Sequence, residues 1–136
     1  MMRRFLIVKS YTPQVNVMLL ILRVVVSGLM LTHGWPKLMK LINGDFQFAD
    51  PYGMGEATSL ALATFAEFFC SILIIIGLGT RLATVPLLIT MLTALLMVHG
   101  DEPFWHHPNI IMYILAYAVM SGMGSGKYSL DYKWFK

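Results

Sequence analysis

The sequence predicts an all-α polytopic membrane protein, a single domain over residues 1–136 built as a bundle of four transmembrane helices. Three observations predict it. Apolar residues make up 57% of the chain and charged residues only 12%, about half the charged share of a soluble domain. The apolar residues gather in four blocks, each approaching the ~20 residues that cross a bilayer core. The blocks are continuous, without the strict alternation of barrel strands, and their Ser, Gly and Ala residues allow close helix contact.

The first span is expected over 15–33, closed by Gly34-Trp35-Pro36. Beyond it, Pro36 to Ile42 reads as a short interfacial helix, and the rest of the stretch to Ala57 as a turn-rich connection. The second span, 58–78, ends on Gly77-Leu78-Gly79. The third, 82–99, and the fourth, 108–124, carry Pro86 and Pro108 in their first turns, where a missing N–H does little harm. The fourth closes in the glycine-rich Gly122 to Gly126.

Four spans place both termini on one side. That side carries Arg3, Arg4, Lys9, Arg81, Lys127, Lys133 and Lys136, whereas the opposite loops carry Lys37 and Lys40 among Asp45, Asp50, Glu56, Asp101 and Glu102. The positive-inside rule then predicts both termini in the cytoplasm, with the N-terminal residues to Tyr11 lying on the inner leaflet. Trp35, Trp105 and Trp134 fall near span ends, as an aromatic belt requires. No cleavable leader is expected, because the first apolar run is too long and no small-residue cleavage site follows it.

A single cysteine, Cys70, excludes an internal disulfide, a Cys-x-x-Cys redox pair and Cys-ligated zinc or iron–sulfur sites within one chain. The basic residues flank apolar runs instead of forming a patch, so no nucleic-acid partner is expected. Nucleophile–base motifs, phosphate loops and dinucleotide fingerprints are absent, and Gly124-Ser125-Gly126-Lys127 is too short for a phosphate loop.

Two charges fall inside spans. Arg23 and Glu67 each lie about ten residues from a span end, ~15 Å deep at ~1.5 Å per residue. An intramembrane charge costs at least ~2.5 kcal/mol, so a partner is expected. Thr64, Glu67 and Ser71 share one helix face, and Arg23 and Ser27 share another. The expectation is a buried Arg23–Glu67 ion pair, either a clamp that fixes helix packing or a proton- or substrate-coupling site.

His33 and His99 close the first and third spans at the outer face. Lys37 lies one turn past His33, and Asn109, Tyr113 and Tyr117 line one face of the fourth span. These six residues are expected to build an outward-facing polar pocket with aromatic walls. Such a pocket suits a quinone, offering donors for two carbonyl oxygens, a proton carrier and flat apolar surfaces. The alternative is that the histidines meet lipid headgroups and the tyrosines belong to the aromatic belt. His106-His107 reads as a solvated loop. Paired histidines also suit axial haem ligation, and His33, His99 and Asp101 or Glu102 a metal, but no diagnostic spacing supports either, so no metal is expected. Arg81 reads as a topology signal in contact with phospholipid, or as a partner of Asp131.

Several motifs in order resemble the DoxX family of small bacterial membrane proteins, related to the DoxD subunit. They are His33-Gly34-Trp35-Pro36-Lys37, Ala66-Glu67 with Gly77-Leu78-Gly79-Thr80-Arg81, Val98-His99, and Gly124-Ser125-Gly126-Lys127-Tyr128-Ser129-Leu130-Asp131. The resemblance runs from about Leu19 to Asp131. It implies a four-helix membrane bundle with a part in quinone-linked oxidoreductase complexes. One departure is Pro108-Asn109, where many relatives carry a glutamate; a proton shuttle resting on that acid would not operate here.

The resulting expectation is an accessory or quinone-binding component of a membrane oxidoreductase system. Its partners would be the lipid bilayer, oxidoreductase subunits and further copies of itself. Two other classes fit the same residues, a small proton-coupled transporter and a non-catalytic scaffold or assembly factor. Whether the chain catalyses a reaction is left open by the sequence.

Overall fold

The computed structural model of the chain describes residues 10–47, 50, 52–98 and 103–135. Every regular element among the described residues is a helix. Helix α1, Pro13–Ile42, opens with the Thr12 side chain accepting the Val15 N–H at 3.3 Å and with Pro13 in the first turn. It does not stop at Gly34-Trp35-Pro36, as expected, but continues through Pro36 to Ile42. The proline removes one N–H without ending the helix, and Lys37 just beyond it is held to Glu67 of the next helix. The stretch read as a separate interfacial helix is therefore the last part of α1. Its 30 residues span ~45 Å, well beyond a ~30 Å bilayer core.

Helix α2, Glu56–Ile76, contains a π turn at Phe65–Cys70. It ends on Gly77, whose φ of 77° lets the Leu78 N–H reach the Leu73 carbonyl at 2.9 Å and its own N–H reach Ile74 at 3.1 Å. This is a Schellman closure, which needs the left-handed backbone that glycine adopts without strain. Helix α3, Thr80–Thr93, runs on into a second π turn at Ala94–Val98. After a short 3-10 turn at Phe104–His106 comes α4, Pro108–Met123, and last α5, Leu130–Phe135.

Three of these helices, α1, α2 and α3, are long and apolar enough to cross a membrane; α4 is apolar but has 16 residues. Helix α1 packs along α2, and α3 along α4. Met30, Ala66, Cys70, Ile74, Leu87, Met91, Tyr117 and Met120 form the core between them. The surface inverts the pattern of a water-soluble protein. Met18, Leu29, Ile89, Leu96, Met112 and Leu115 are each more than half exposed. Arg23, Ser27, Thr64, Glu67, Ser71, Thr80 and Asp131 are buried. Water would penalise so wide an apolar surface, whereas lipid makes it neutral and drives the polar groups inward.

Candidate functional site

The site begins with a glycine. Gly34 of α1 lies directly on the backbone of α2, so that a Cβ there would come within 2.8 Å of the Glu67 carbonyl carbon and oxygen. No residue with a side chain fits this approach without moving a helix. Lys37, one turn further along α1, consequently sits over the Glu67 side chain. Its Nζ donates to both carboxylate oxygens, at 2.6 and 2.5 Å. The Glu67 side chain is 3% exposed and that of Lys37 24%. Short, two-pronged and shielded from water, this is the kind of pair whose single truncation costs about 3–5 kcal/mol.

Glu67 stands inside the π turn of α2, a local widening of the helix that occurs often at functional sites. The Ser71 hydroxyl donates to the Glu67 carbonyl at 2.8 Å, adding a bond where the regular ladder is interrupted.

The ion pair forms one wall of a cavity of about 350 Å³, within the ~300–1,000 Å³ range of small-molecule sites. Met30, Met91, Ala94 and Ile110 supply apolar surface, and His33, Asn109, Tyr113, His106 and His107 supply polar groups. The His33 and Tyr113 rings meet edge to face, 5.8 Å apart at 89°. Of the residues expected in a pocket, the structure thus brings His33, Lys37, Asn109 and Tyr113 around one space. Tyr117 lies beneath it, fully buried, stacked on Tyr113 at 6.4 Å with its hydroxyl 3.3 Å from Ser27 Oγ. His99, Asp101, Glu102 and residues 1–9 of the segment expected on the membrane surface lie outside the described residues, whereas Tyr11, at the end of that segment, donates its hydroxyl to the Met123 carbonyl at 2.9 Å.

Arg23 does not pair with Glu67, and that expectation is corrected. Its guanidinium, fully buried, donates through Nη1 to the Ile74 and Ile75 carbonyls at 2.9 and 3.2 Å and through Nη2 to the Tyr128 carbonyl. Ile74 and Ile75 end α2, where unsatisfied carbonyls concentrate negative charge. The countercharge is Asp131. That carboxylate accepts the Gly79 N–H at 2.7 Å and the Thr80 N–H at 3.0 Å, capping α3. The Asp131 N–H in turn donates to the Gly77 carbonyl at 2.8 Å. A Cβ at Gly77 would collide with Ser129 and come within 2.7 Å of Arg23 Nη1. The glycine turn and the C-terminal segment thus close around the arginine. Arg81 donates to the Gly122 carbonyl at 3.2 Å.

The depth match failed because α1 extends well past His33. Its centre shifts toward Ser27 and Gly28, so Arg23 falls level with the end of α2, and Gly34, not Arg23, lies against Glu67. A signal for the true pair was present: Lys37 shares a helix face with Gly34 at i, i+3 and with His33 at i, i+4. His106 and His107, read as a solvated loop, face the cavity because the 3-10 turn folds them over the start of α4.

Apolar helices of spanning length, an apolar outer surface and buried charges define a helical membrane protein with a cavity inside its bundle, largely apolar and edged by a few polar groups. Residues 18–100, more than half of the chain, match the profile of the DoxX family, and the chain belongs to that family. The match ends before the Gly124 to Asp131 motif. No curated protein and no solved structure matches the chain.

Proposed function

We propose that this DoxX protein binds a quinone in the cavity beside Lys37 and Glu67 and serves as a component of a membrane oxidoreductase system. The observation that carries the reading is the convergence of the Lys37–Glu67 pair, His33, Asn109 and Tyr113 on one cavity with apolar walls. A flat ring carrying two oxygens needs that combination of apolar walls and few polar groups. The reading carries a topology with it. Helix α4 acts as the fourth span, its ~24 Å matched by local thinning or by flanking residues. Both termini face the cytoplasm of a bacterial inner membrane, and the cavity opens toward the outer face. With no redox centre recognised in its sequence, the protein exchanges electrons through partner subunits.

Quinone titration of the purified protein in lipid nanodiscs tests this. Binding is expected, with His33→Ala and Lys37→Met each weakening it about tenfold, ~1.4 kcal/mol. Unchanged affinity in both variants rejects the site. One observation favours a second reading, proton-coupled transport: Glu67 is paired with a lysine, which can give up a proton, rather than with an arginine. In that case Glu67→Gln abolishes proton-coupled flux in vesicles, and persisting flux removes the role.

A further inference from the structure

We infer that Arg23 is a proton barrier, closing a file of polar side chains that runs from the cavity toward the other end of the bundle. This role does not depend on what the cavity binds. Along α2, Glu67, Ser71 and Ile74 follow one another at about one turn and mark three levels. At the first, Lys37 holds the Glu67 carboxylate in the cavity wall. At the second, the buried Ser71 hydroxyl donates to the Glu67 carbonyl at 2.8 Å. Tyr117 of α4 reaches this level, its ring stacked on Tyr113 of the cavity wall and its hydroxyl 3.3 Å from Oγ of the buried Ser27. At the third, Arg23, one turn from Ser27 on the same face of α1, donates to the Ile74 and Ile75 carbonyls.

Hydroxyl groups both donate and accept, so Tyr117, Ser27 and Ser71 are able to hand a proton on. Arg23 is not. A guanidinium donates through every N–H, accepts through none and does not give up its proton. It is spent on three carbonyls, those of Ile74, Ile75 and Tyr128, which carry no proton to relay. Its Nε–H is buried without an acceptor among the described residues, so a water molecule beside it would accept that bond and turn its own hydrogens away. A fixed arginine charge on a polar path is one of the ways in which membrane pores exclude protons. Asp131 balances that charge, but from beyond the end of α2, where the Gly79 and Thr80 N–H groups hold it. Glu67 therefore exchanges protons through the cavity alone.

The test reconstitutes the full-length protein in liposomes loaded with a pH-sensitive dye and follows the decay of an imposed pH gradient. Wild-type vesicles should leak no faster than protein-free ones. Arg23→Gln puts an amide, which both donates and accepts, in place of the charge, and should leak about tenfold faster. Adding Tyr117→Phe to Arg23→Gln should remove most of that increase, because the file is then cut above the former barrier. Wild-type vesicles leakier than protein-free ones, or Arg23→Gln vesicles as tight as the wild type, overturn the barrier. So does a leak that survives Tyr117→Phe, since it would come from a loosened bundle and not from the file. If Arg23→Gln does not fold, the Arg23→Gln/Asp131→Asn double variant, which leaves no unpaired charge, replaces it with the same expected outcomes. None of these results alters the quinone titration, so the two readings fail separately.

Discussion

Replacing Gly34 by alanine adds one methyl group at the tightest helix contact in the site. That carbon would lie 2.8 Å from the Glu67 carbonyl carbon and oxygen and 2.9 Å from the Phe68 nitrogen, all backbone atoms of α2. Backbone cannot swing aside as a flexible side chain can. Restoring ordinary contact therefore requires α1 and α2 to part by about 0.6 Å at this level. Lys37, one turn away on α1, moves with its helix, and its 2.5 and 2.6 Å bonds to Glu67 lengthen toward the weak end of the hydrogen-bond range. Overpacking of this kind costs about 1–3 kcal/mol. Gly28, on the same helix, is the internal control: a Cβ there meets nothing within 4 Å. Gly28→Ala should be neutral or stabilising by up to ~1 kcal/mol, because alanine favours helix over glycine. Unfolding both variants from mixed micelles with increasing denaturing detergent gives the comparison, and quinone titration gives the functional readout. Gly34→Ala should lose about 1–3 kcal/mol and bind quinone more weakly. If it matches Gly28→Ala in both assays, the close approach does not position the pair.

Arg23→Gln should destabilise the fold by about 3–5 kcal/mol, since it strips three carbonyls of a charged donor and leaves Asp131 without its countercharge; Arg23→Lys should rescue little of this, as a single ammonium does not reproduce the guanidinium fork, and full rescue in the same unfolding assay would argue for charge alone. Tyr117→Phe should cost about 0.5–1.5 kcal/mol through the lost contact with Ser27 while leaving quinone affinity unchanged, because the hydroxyl lies beneath the cavity; a large affinity loss would place it in the site. Outside the spans, the Gly55 N–H, followed by the Ser59 hydroxyl and the Met54 N–H, holds the Asp50 carboxyl below the usual carboxylate range. A pKa lowered by folding adds stability above the unfolded value of about 3.9 and loses it as pH falls through the folded value, so the protection of the Gly55 amide, measured against the intrinsic exchange rate at each pH, should fall below about pH 4. Asp50→Asn should remove that pH dependence, and an unchanged profile would show that the cap does not titrate.

The helices were legible in the sequence because hydropathy acts on whole segments: the expected second, third and fourth apolar runs lie within a few residues of α2, α3 and α4, of which α2 and α3 are long enough to cross a membrane. Pro36 was misleading, since its local meaning as a helix stop yields to packing on both sides. That one misreading moved the centre of α1 and with it the partner assigned to Glu67. The charges themselves were correctly marked as residues that need partners, because lipid makes isolation expensive whatever the geometry. Which partner each finds depends on helix register to within a turn, and composition does not set register. The π turns at Phe65–Cys70 and Ala94–Val98 left no mark in the pattern of apolar residues. Nor does the capping of α3 by Asp131, which joins backbone at Gly79 and Thr80 to a side chain some fifty positions later.

A double-mutant cycle on stability, run in parallel for Lys37 with Glu67 and for Arg23 with Glu67, addresses the central pairing most directly. Lys37→Met and Glu67→Gln should be strongly non-additive, with a coupling of about 1.5–3 kcal/mol, while Arg23→Gln and Glu67→Gln should add to within about 0.5 kcal/mol. Additivity for Lys37 with Glu67, or strong coupling of Glu67 to Arg23, would contradict the arrangement from which the cavity and its chemistry follow.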